Sequence, residues 1–491
     1  MNKLMKKYLA ILILAFTFFS VNVFAQDNVE KGMNAVKKGD YLTALNLLKD
    51  VVKTNTKYDA NCYYGIALFK TGSLDDAEKY LKIALKDDDE GIDALKGLGE
   101  LYTERKKYSD ADDLFRKALK LEPESIPVML SRAANYSAQG KIDEAIQALT
   151  LATTVSKENP TVYAGLGEAY YIRGSFKLSK DYYDKAVKLN PNFAPAYYGL
   201  GKVYFKLKQY NESLVSFNTA IAKDANFAEA YLEKGKILYF GEKYGEAAES
   251  FKKYSALKPG SQEGNSYFAK TLYAEGKLDE AMALLTDVLK ADPNSVTGNL
   301  YTAYILSEKE VPDSSAQVEQ YKKAVEFFAK VPIKDFEVED MLKYAKVQVN
   351  LRNFSDAYGL YDKAIKMDST DKSVYYEYGK ACFKGENYEN AVMYLNKATD
   401  LGMNERSVYL FKGFSNFYLK KYEDALANFQ DAIKADDKFV LSYSWVAKCY
   451  IVLLKNDEAI KTYEKILTID PENAEAKDRL AKVKGANNNK Q

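Results

Sequence analysis

Small residues recur along this chain at a fixed step, and that step limits what the chain can fold into. They stand at Gly32, Gly65, Gly99, Ala133, Gly167, Gly201, Gly235 and Ala269. The step is 33 once and 34 six times. A second series, Ala345, Gly379, Gly413, Ala447 and Ala481, keeps the step of 34 throughout. Such regularity over most of a chain of 491 residues marks a solenoid, in which one supersecondary unit stacks on the next.

The interior of each period keeps the same register. The stretch Ala194 to Phe227 shows it: two amphipathic helical patterns lie back to back. Twelve positions after the small residue comes another, at Ala44, Ala77, Ala111, Ala145, Ser179, Ser213, Ala247, Ala281, Ala357, Ala391, Ala425 and Ala459. Four further on sits a bulky group such as Phe115, Tyr183, Phe217, Phe251, Phe429 or Tyr463. Three beyond that is usually Ala, as at Ala84, Ala118, Ala186, Ala220, Ala364, Ala398 and Ala432. Pro closes several periods, at Pro123, Pro191, Pro259, Pro293 and Pro471. Gly and Ala let two antiparallel helices approach closely, the aromatic fills the space beside them, and Pro stops the second helix. A single unit of this kind cannot bury its own apolar face; its neighbours do that.

This pattern resembles the tetratricopeptide repeat family. Leu98-Gly99 with Tyr102, Leu166-Gly167 with Tyr170, and Leu200-Gly201 with Tyr204 carry the resemblance, followed by the Ala, aromatic, Ala and Pro positions. It extends over nearly everything after Gln26. The family's Trp position is mostly Tyr here, at Tyr163, Tyr197, Tyr231, Tyr375, Tyr409 and Tyr443. The fold implied is all-α: a right-handed α-solenoid of about 13 helix-turn-helix units with a C-terminal capping helix.

The resemblance also implies where a partner lies. In the family the first helix of each unit lines a concave groove, notably through residues one and four positions after the small residue. Here the first set is Lys202, Lys236, Lys270, Lys346, Lys380 and Lys448. The second is Tyr171, Phe205, Tyr239, Tyr273, Phe383 and Phe417. Residues three apart share a helix face, so the two sets are expected to form ladders of ammonium groups and rings. Such ladders suit an extended polypeptide of acidic or carbonyl-rich and aromatic character. The alternative is that these lysines recur only because the units do, with the rings packing on the next unit. Glu100 and Glu168 take the Lys position nearer the N-terminus, and Ile66 and Phe414 take it elsewhere, so a groove more acidic at its N-terminal end is expected. Some family members hold a C-terminal carboxylate in a clamp of Lys and Asn. The Asn of that clamp falls where this chain has Lys202 or Lys236.

Composition narrows the function classes. The chain has no His, so the commonest general base and metal ligand are missing. No phosphate-binding Gly-rich loop, HExxH or GxSxG occurs. Its three Cys, Cys62, Cys382 and Cys449, are far apart and form no CxxC pair. A non-catalytic protein without metal or cofactor is expected. The 70 basic and 69 acidic residues give none of the basic excess that nucleic-acid binders carry.

The N-terminus reads as an address. Lys3, Lys6 and Lys7 precede an apolar run from Tyr8 to Phe19, and Val23-Phe24-Ala25 offers a cleavage site before Gln26. The expected organisation is a signal peptide at 1–25, a first array at 26–295, an irregular unit at 296–337, a second array at 338–473, and a capping helix with a disordered tail at 474–491. Ala269 to Ala345 holds two periods plus eight residues, with Val311-Pro312-Asp313 and Val331-Pro332 expected to interrupt helices. Residues 296–337 then form either a hinge or a tolerated insertion. An exported protein, periplasmic or associated with the cell envelope, follows from the leader. Its expected role is a protein-protein interaction scaffold. Two alternatives are a periplasmic carrier of exported or outer-membrane chains and a glycan-binding accessory of polysaccharide export, since tyrosine rings stack on sugars.

Overall fold

The computed structural model describes residues 26–488. Residues 1–25, where the sequence predicts a leader, and the last three residues lie outside the described part. Every described element is helical, with 27 α-helices, two short 3-10 turns and no strand among the described residues. Two compact units divide at Ile237 and Leu238.

Most regular repeats are a first helix of 13 residues and a second of 14, as in Ala194–Lys206 and Tyr210–Lys223; the second helix Tyr388–Asp400 has 13 and Tyr41–Leu48 has 8. Within each compact unit, successive helices pack on one another. First helices also touch the next first helix, as Tyr58–Lys70 touches Ile92–Glu104 and Lys372–Lys384 touches Arg406–Tyr418. The first helices therefore make one continuous face within a unit.

The periodic small residues explain the close approach. A Cβ on Gly201 would lie 2.5 Å from the Phe217 ring, and one on Gly413 would lie 2.5 Å from Phe429. Those rings are fully buried, as are Phe115 and Phe251 at the same register. Each such ring contributes roughly 1.5–3 kcal/mol relative to exposure. All twelve small residues that follow twelve positions after the first are buried. Where that residue is Ser, its hydroxyl finds a partner: Ser179 Oγ donates to the Gly167 carbonyl at 2.6 Å and Ser213 Oγ to the Gly201 carbonyl at 2.7 Å.

The turn between first and second helix needs one residue with left-handed backbone. Gly serves at Gly72, Gly140, Gly174 and Gly276, whereas Lys208 (φ 61°) and Leu454 (φ 59°) adopt the same conformation with a side chain. The reason is the helix ending that this residue closes: the Gln209 N–H donates to the Tyr204 carbonyl at 2.9 Å.

Residues 296–337 lie in the second unit and depart from the pattern. The helix Val296–Glu308 carries buried Ala303 in register with Ala269. Residues 309–313 then connect to a second helix, Ser314–Ala329, of 16 residues. Its buried pair is Ala324 and Phe328, so Ala303 to Ala324 spans 21 positions where other repeats take 12. A 3-10 turn at Ile333–Asp335 and a capping box of Glu337 with Asp340 lead into Val338–Asn350. Phe328, stacked on Tyr344 at 4.6 Å, packs with Val331 and Phe336.

The last helix, Ala474–Asn488, packs Ala476 and Val483 on Tyr463 and Ile466. Ala481, the last residue of the periodic series, is exposed. The tail expected to lack structure from Gly485 instead continues this helix to Asn488.

Candidate functional site

Within each unit, the face of first helices positions the lysines and rings singled out by the sequence. In the first unit, Lys202 is not a bare ammonium. Its Nζ lies 2.9 and 2.8 Å from the two carboxylate oxygens of Glu168, one period earlier. It also sits 4.7 Å from the Tyr171 ring and 5.3 Å from Tyr198. Tyr183 Oη donates to the same carboxylate at 2.6 Å. Burial, with the charges of Glu168 and Glu233, raises the Tyr171 phenol pKa. Lys236 pairs with Glu233 at 2.9 Å. Phe205 is at the turn end of its helix, 39% exposed, edge-on to Tyr210.

The acidic end expected near the N-terminus is neutralised. Glu100 accepts from Lys70 at 3.0 Å, Lys96 at 3.1 Å and Ser131 Oγ at 2.7 Å. Burial alone would raise its pKa, but Lys96, Lys70 and Ser131 together hold it below the ordinary glutamate value. Glu168 pairs with Lys202 one period on, and Glu100 pairs with Lys70 on the preceding repeat and Lys96 on its own helix, so both carboxylates are matched internally.

In the second unit the predicted lysines fall into different environments. Lys380 pairs with Glu377 at 2.9 Å, 4.8 Å from the Tyr376 ring. Lys346 is exposed and makes no ion pair. Lys448 lies 4.5 Å over the Trp445 ring. Lys270 stands between two rings, 5.6 Å from Tyr267 and 5.5 Å from Tyr301, with no carboxylate in ion-pair range. Burial lowers its pKa, opposed by the more distant Glu337 and Asp340.

The predicted rings are brought into clusters rather than an isolated ladder. Tyr239 meets Tyr244 at 5.7 Å and Tyr267 at 6.2 Å. Tyr273 meets Tyr301 at 5.2 Å. Phe383 meets Phe411 at 5.3 Å and Phe414 at 6.0 Å, and Phe417 meets Trp445 at 5.1 Å. Four of the six ladder lysines approach the ring three or four positions before them on their own helix: Lys202 to Tyr198, Lys270 to Tyr267, Lys380 to Tyr376 and Lys448 to Trp445. Side chains on a helix tilt toward its N-terminus, which favours that ring over the one three positions after.

Sequence reasoning missed a second row on this face. It lies two positions before the small residue: Glu233, Tyr267, Lys343, Glu377, Phe411 and Trp445. Glu233, Tyr267, Glu377 and Trp445 are counter-ions or ring partners of predicted lysines, and Lys343 and Phe411 meet the predicted rings Tyr273 and Phe383. Lys343 is the most connected. Its Nζ lies 2.8 Å from Glu308 and 3.0 Å from Tyr273 Oη, and 4.8 Å from the Tyr304 ring. Tyr273 Oη in turn donates to Glu308 at 2.7 Å. Burial, offset in part by Lys343, pushes the Tyr273 phenol up to about 12. The signal was present: each missed residue precedes a ladder position by three, hence shares its face.

Among the described residues, no group of His, Cys, Asp or Glu is placed to hold a metal ion, and no helix is long and apolar enough to cross a membrane. What the face offers is a large surface of rings and paired charges on stacked helical hairpins. That combination defines an α-solenoid interaction scaffold. Family models described as tetratricopeptide repeat or TPR repeat match residues 35–101, 94–126, 169–208, 201–240, 241–300 and 415–474. A model for "Anaphase-promoting complex, cyclosome, subunit 3" matches 350–432. The chain belongs to the tetratricopeptide repeat family. Among solved structures, the APC/C hetero-tetramer Cut9-Hcn1 is 14% identical with a TM-score of 0.39, covering 92% of this chain and 95% of its own. A tetratricopeptide repeat protein from Parabacteroides merdae ATCC 43184 is 20% identical with a TM-score of 0.41, covering 51% and 99%. YrrB, titled as a TPR protein with an unusual peptide-binding site, is 22% identical with a TM-score of 0.30, covering 38% and 95%. No curated protein sequence matches the chain.

Proposed function

We propose that this protein is a non-catalytic scaffold of the cell envelope that holds an extended, acidic polypeptide against the face of its first helices. The observation that carries the reading is Lys270. Lys202, Lys236 and Lys380 each keep a carboxylate of their own. Lys270 is half-buried between Tyr267 and Tyr301 and has none. A partly desolvated ammonium without a counter-ion carries a standing electrostatic cost, which an incoming carboxylate removes. The flanking rings supply the apolar area that holds the chain around that carboxylate.

The leader read at residues 1–25 supports an envelope location, and a mature N-terminus at Gln26 in the exported fraction is the corresponding measurement. Binding is tested by exchanging Lys270→Glu and, separately, Lys202→Glu. Capture of the partner from envelope extracts is expected to fall at least about tenfold with Lys270→Glu. Lys202→Glu is expected to weaken capture less, because Lys202 is already neutralised. Equal effects of the two variants would remove Lys270 as the anchor.

A further inference from the structure

The irregular repeat leaves a cleft that regular stacking does not explain. The cleft has a volume of about 550 Å³ and lies where the helices Leu278–Ala291, Val296–Glu308 and Ser314–Ala329 meet. Its walls are mostly apolar, with Met282 and Leu289 from the first helix, Leu306 from the second and Phe327 from the third. It forms where the second helix of the repeat begins late, after the connection 309–313. A volume of this size is in the range that holds a small ligand.

Two polar features point to what that ligand is. Lys290, Lys323 and Lys330 line the cleft, and no carboxylate does. None of the three makes an ion pair, although Glu326 lies between two of them on the same helix. Lys330 Nζ instead lies 4.5 Å over the Phe327 ring. The second feature is Thr302, which also lines the cleft. Its Oγ1 is buried and has no hydrogen-bond partner, although the residue is only 4% exposed. A buried hydroxyl without a partner is uncommon and marks a place where a polar atom is expected to arrive.

We infer that this cleft is a binding site for a small amphipathic anion, an acyl or aryl chain ending in a carboxylate or similar group. The chain enters among Met282, Leu289, Leu306 and Phe327. The anionic head is met by Lys290, Lys323 and Lys330, whose aliphatic stems extend the apolar walls while their ammonium groups stay wet. A polar atom of the ligand satisfies Thr302 Oγ1. A cationic amphiphile of equal length meets three like charges at the same place and is rejected. This site is separate from the face of first helices and does not depend on how that face is used.

The test is calorimetric titration of the protein from Gln26 onward with decanoate, decanol and decyltrimethylammonium. Decanoate is expected to bind at one site, with decanol and decyltrimethylammonium at least about tenfold weaker. Lys323→Glu with Lys330→Glu is expected to lower decanoate affinity by about tenfold or more. Thr286→Trp, at an exposed position lining the cleft, plugs it and abolishes binding while the helical circular dichroism stays unchanged. Lys270→Glu leaves decanoate binding intact, which separates this site from the polypeptide face. The inference is overturned if decanol binds as well as decanoate, if Thr286→Trp leaves binding unchanged, or if decanoate does not bind at all.

Discussion

Gly201→Ala and Gly359→Ala are the same chemical change, and the structure gives them opposite signs. A Cβ at Gly201 would stand 2.5 Å from one Phe217 ring carbon, 2.6 Å from a second and 2.8 Å from a third. Ordinary contact begins about 1 Å farther out, so the ring has to shift. Phe217 is fully buried, with Tyr198 at 5.7 Å on one side. Overpacking of this kind costs about 1–3 kcal/mol. The gain in helix propensity returns about 1 kcal/mol, leaving a net loss of about 1 kcal/mol. At Gly359, inside the helix Phe354–Met367, nothing lies within 4 Å of the added Cβ. There only the propensity gain of about 1 kcal/mol remains.

Native-state hydrogen exchange resolves the two helices separately. Amides of Ala194–Lys206 are expected to exchange about fivefold faster in Gly201→Ala, and those of Phe354–Met367 more slowly in Gly359→Ala. Adding Phe217→Leu to Gly201→Ala recreates the pairing of Ala133 with Leu149, so the double variant is expected to lose less than the two single losses together, by about 0.5 kcal/mol or more. Unchanged or greater protection in Gly201→Ala would refute the idea that the small residue is required by the ring.

Three further outcomes follow from particular residues. Leu454 holds a left-handed backbone while its side chain is 77% exposed, so Leu454→Gly is expected to raise stability by about 1 kcal/mol in thermal melts, with little buried area lost. The thiols of Cys62, Cys382 and Cys449 are pushed up to about 12 by burial; a thiol reagent at pH 8 should therefore label none of them natively and all three in denaturant. Lys270 has its pKa lowered on folding by burial, so the unfolded chain binds more protons between that lowered value and the ordinary 10.5. Its destabilising contribution is full below the lowered pKa and fades as pH rises toward 10.5. Lys270→Met should accordingly be more stable than the parent at pH 7, with the gap in urea midpoint narrowing toward pH 10.

The packing was legible in the sequence because it is a spacing. Gly201, Ser213, Phe217 and Ala220 each recur in register, and each is buried where the register puts it. The face was only half legible. Positions one and four after the small residue were found, yet Glu233, Lys343, Glu377 and Trp445 were not, because the position two before varies between acid, base and ring. Lys202 and Glu168 looked like a change of sign along the array; they are in fact partners across one period. That pairing depends on how one repeat lies against the next, which a repeat read alone does not contain. The cleft at Thr302 was not legible either, since it depends on where the helix after residues 309–313 comes to rest.

The central claim is that an acidic chain lies on the first-helix face beside Lys270. Benzoylphenylalanine placed at Tyr301, whose ring flanks Lys270, and at Leu151, exposed on the second helix Ile142–Val155, tests it directly by photocrosslinking in envelope extracts. Crosslinks are expected at 301, to a polypeptide whose attached segment contains Asp or Glu, and few at 151. Crosslinks that favour 151, or segments at 301 without acidic residues, would contradict it.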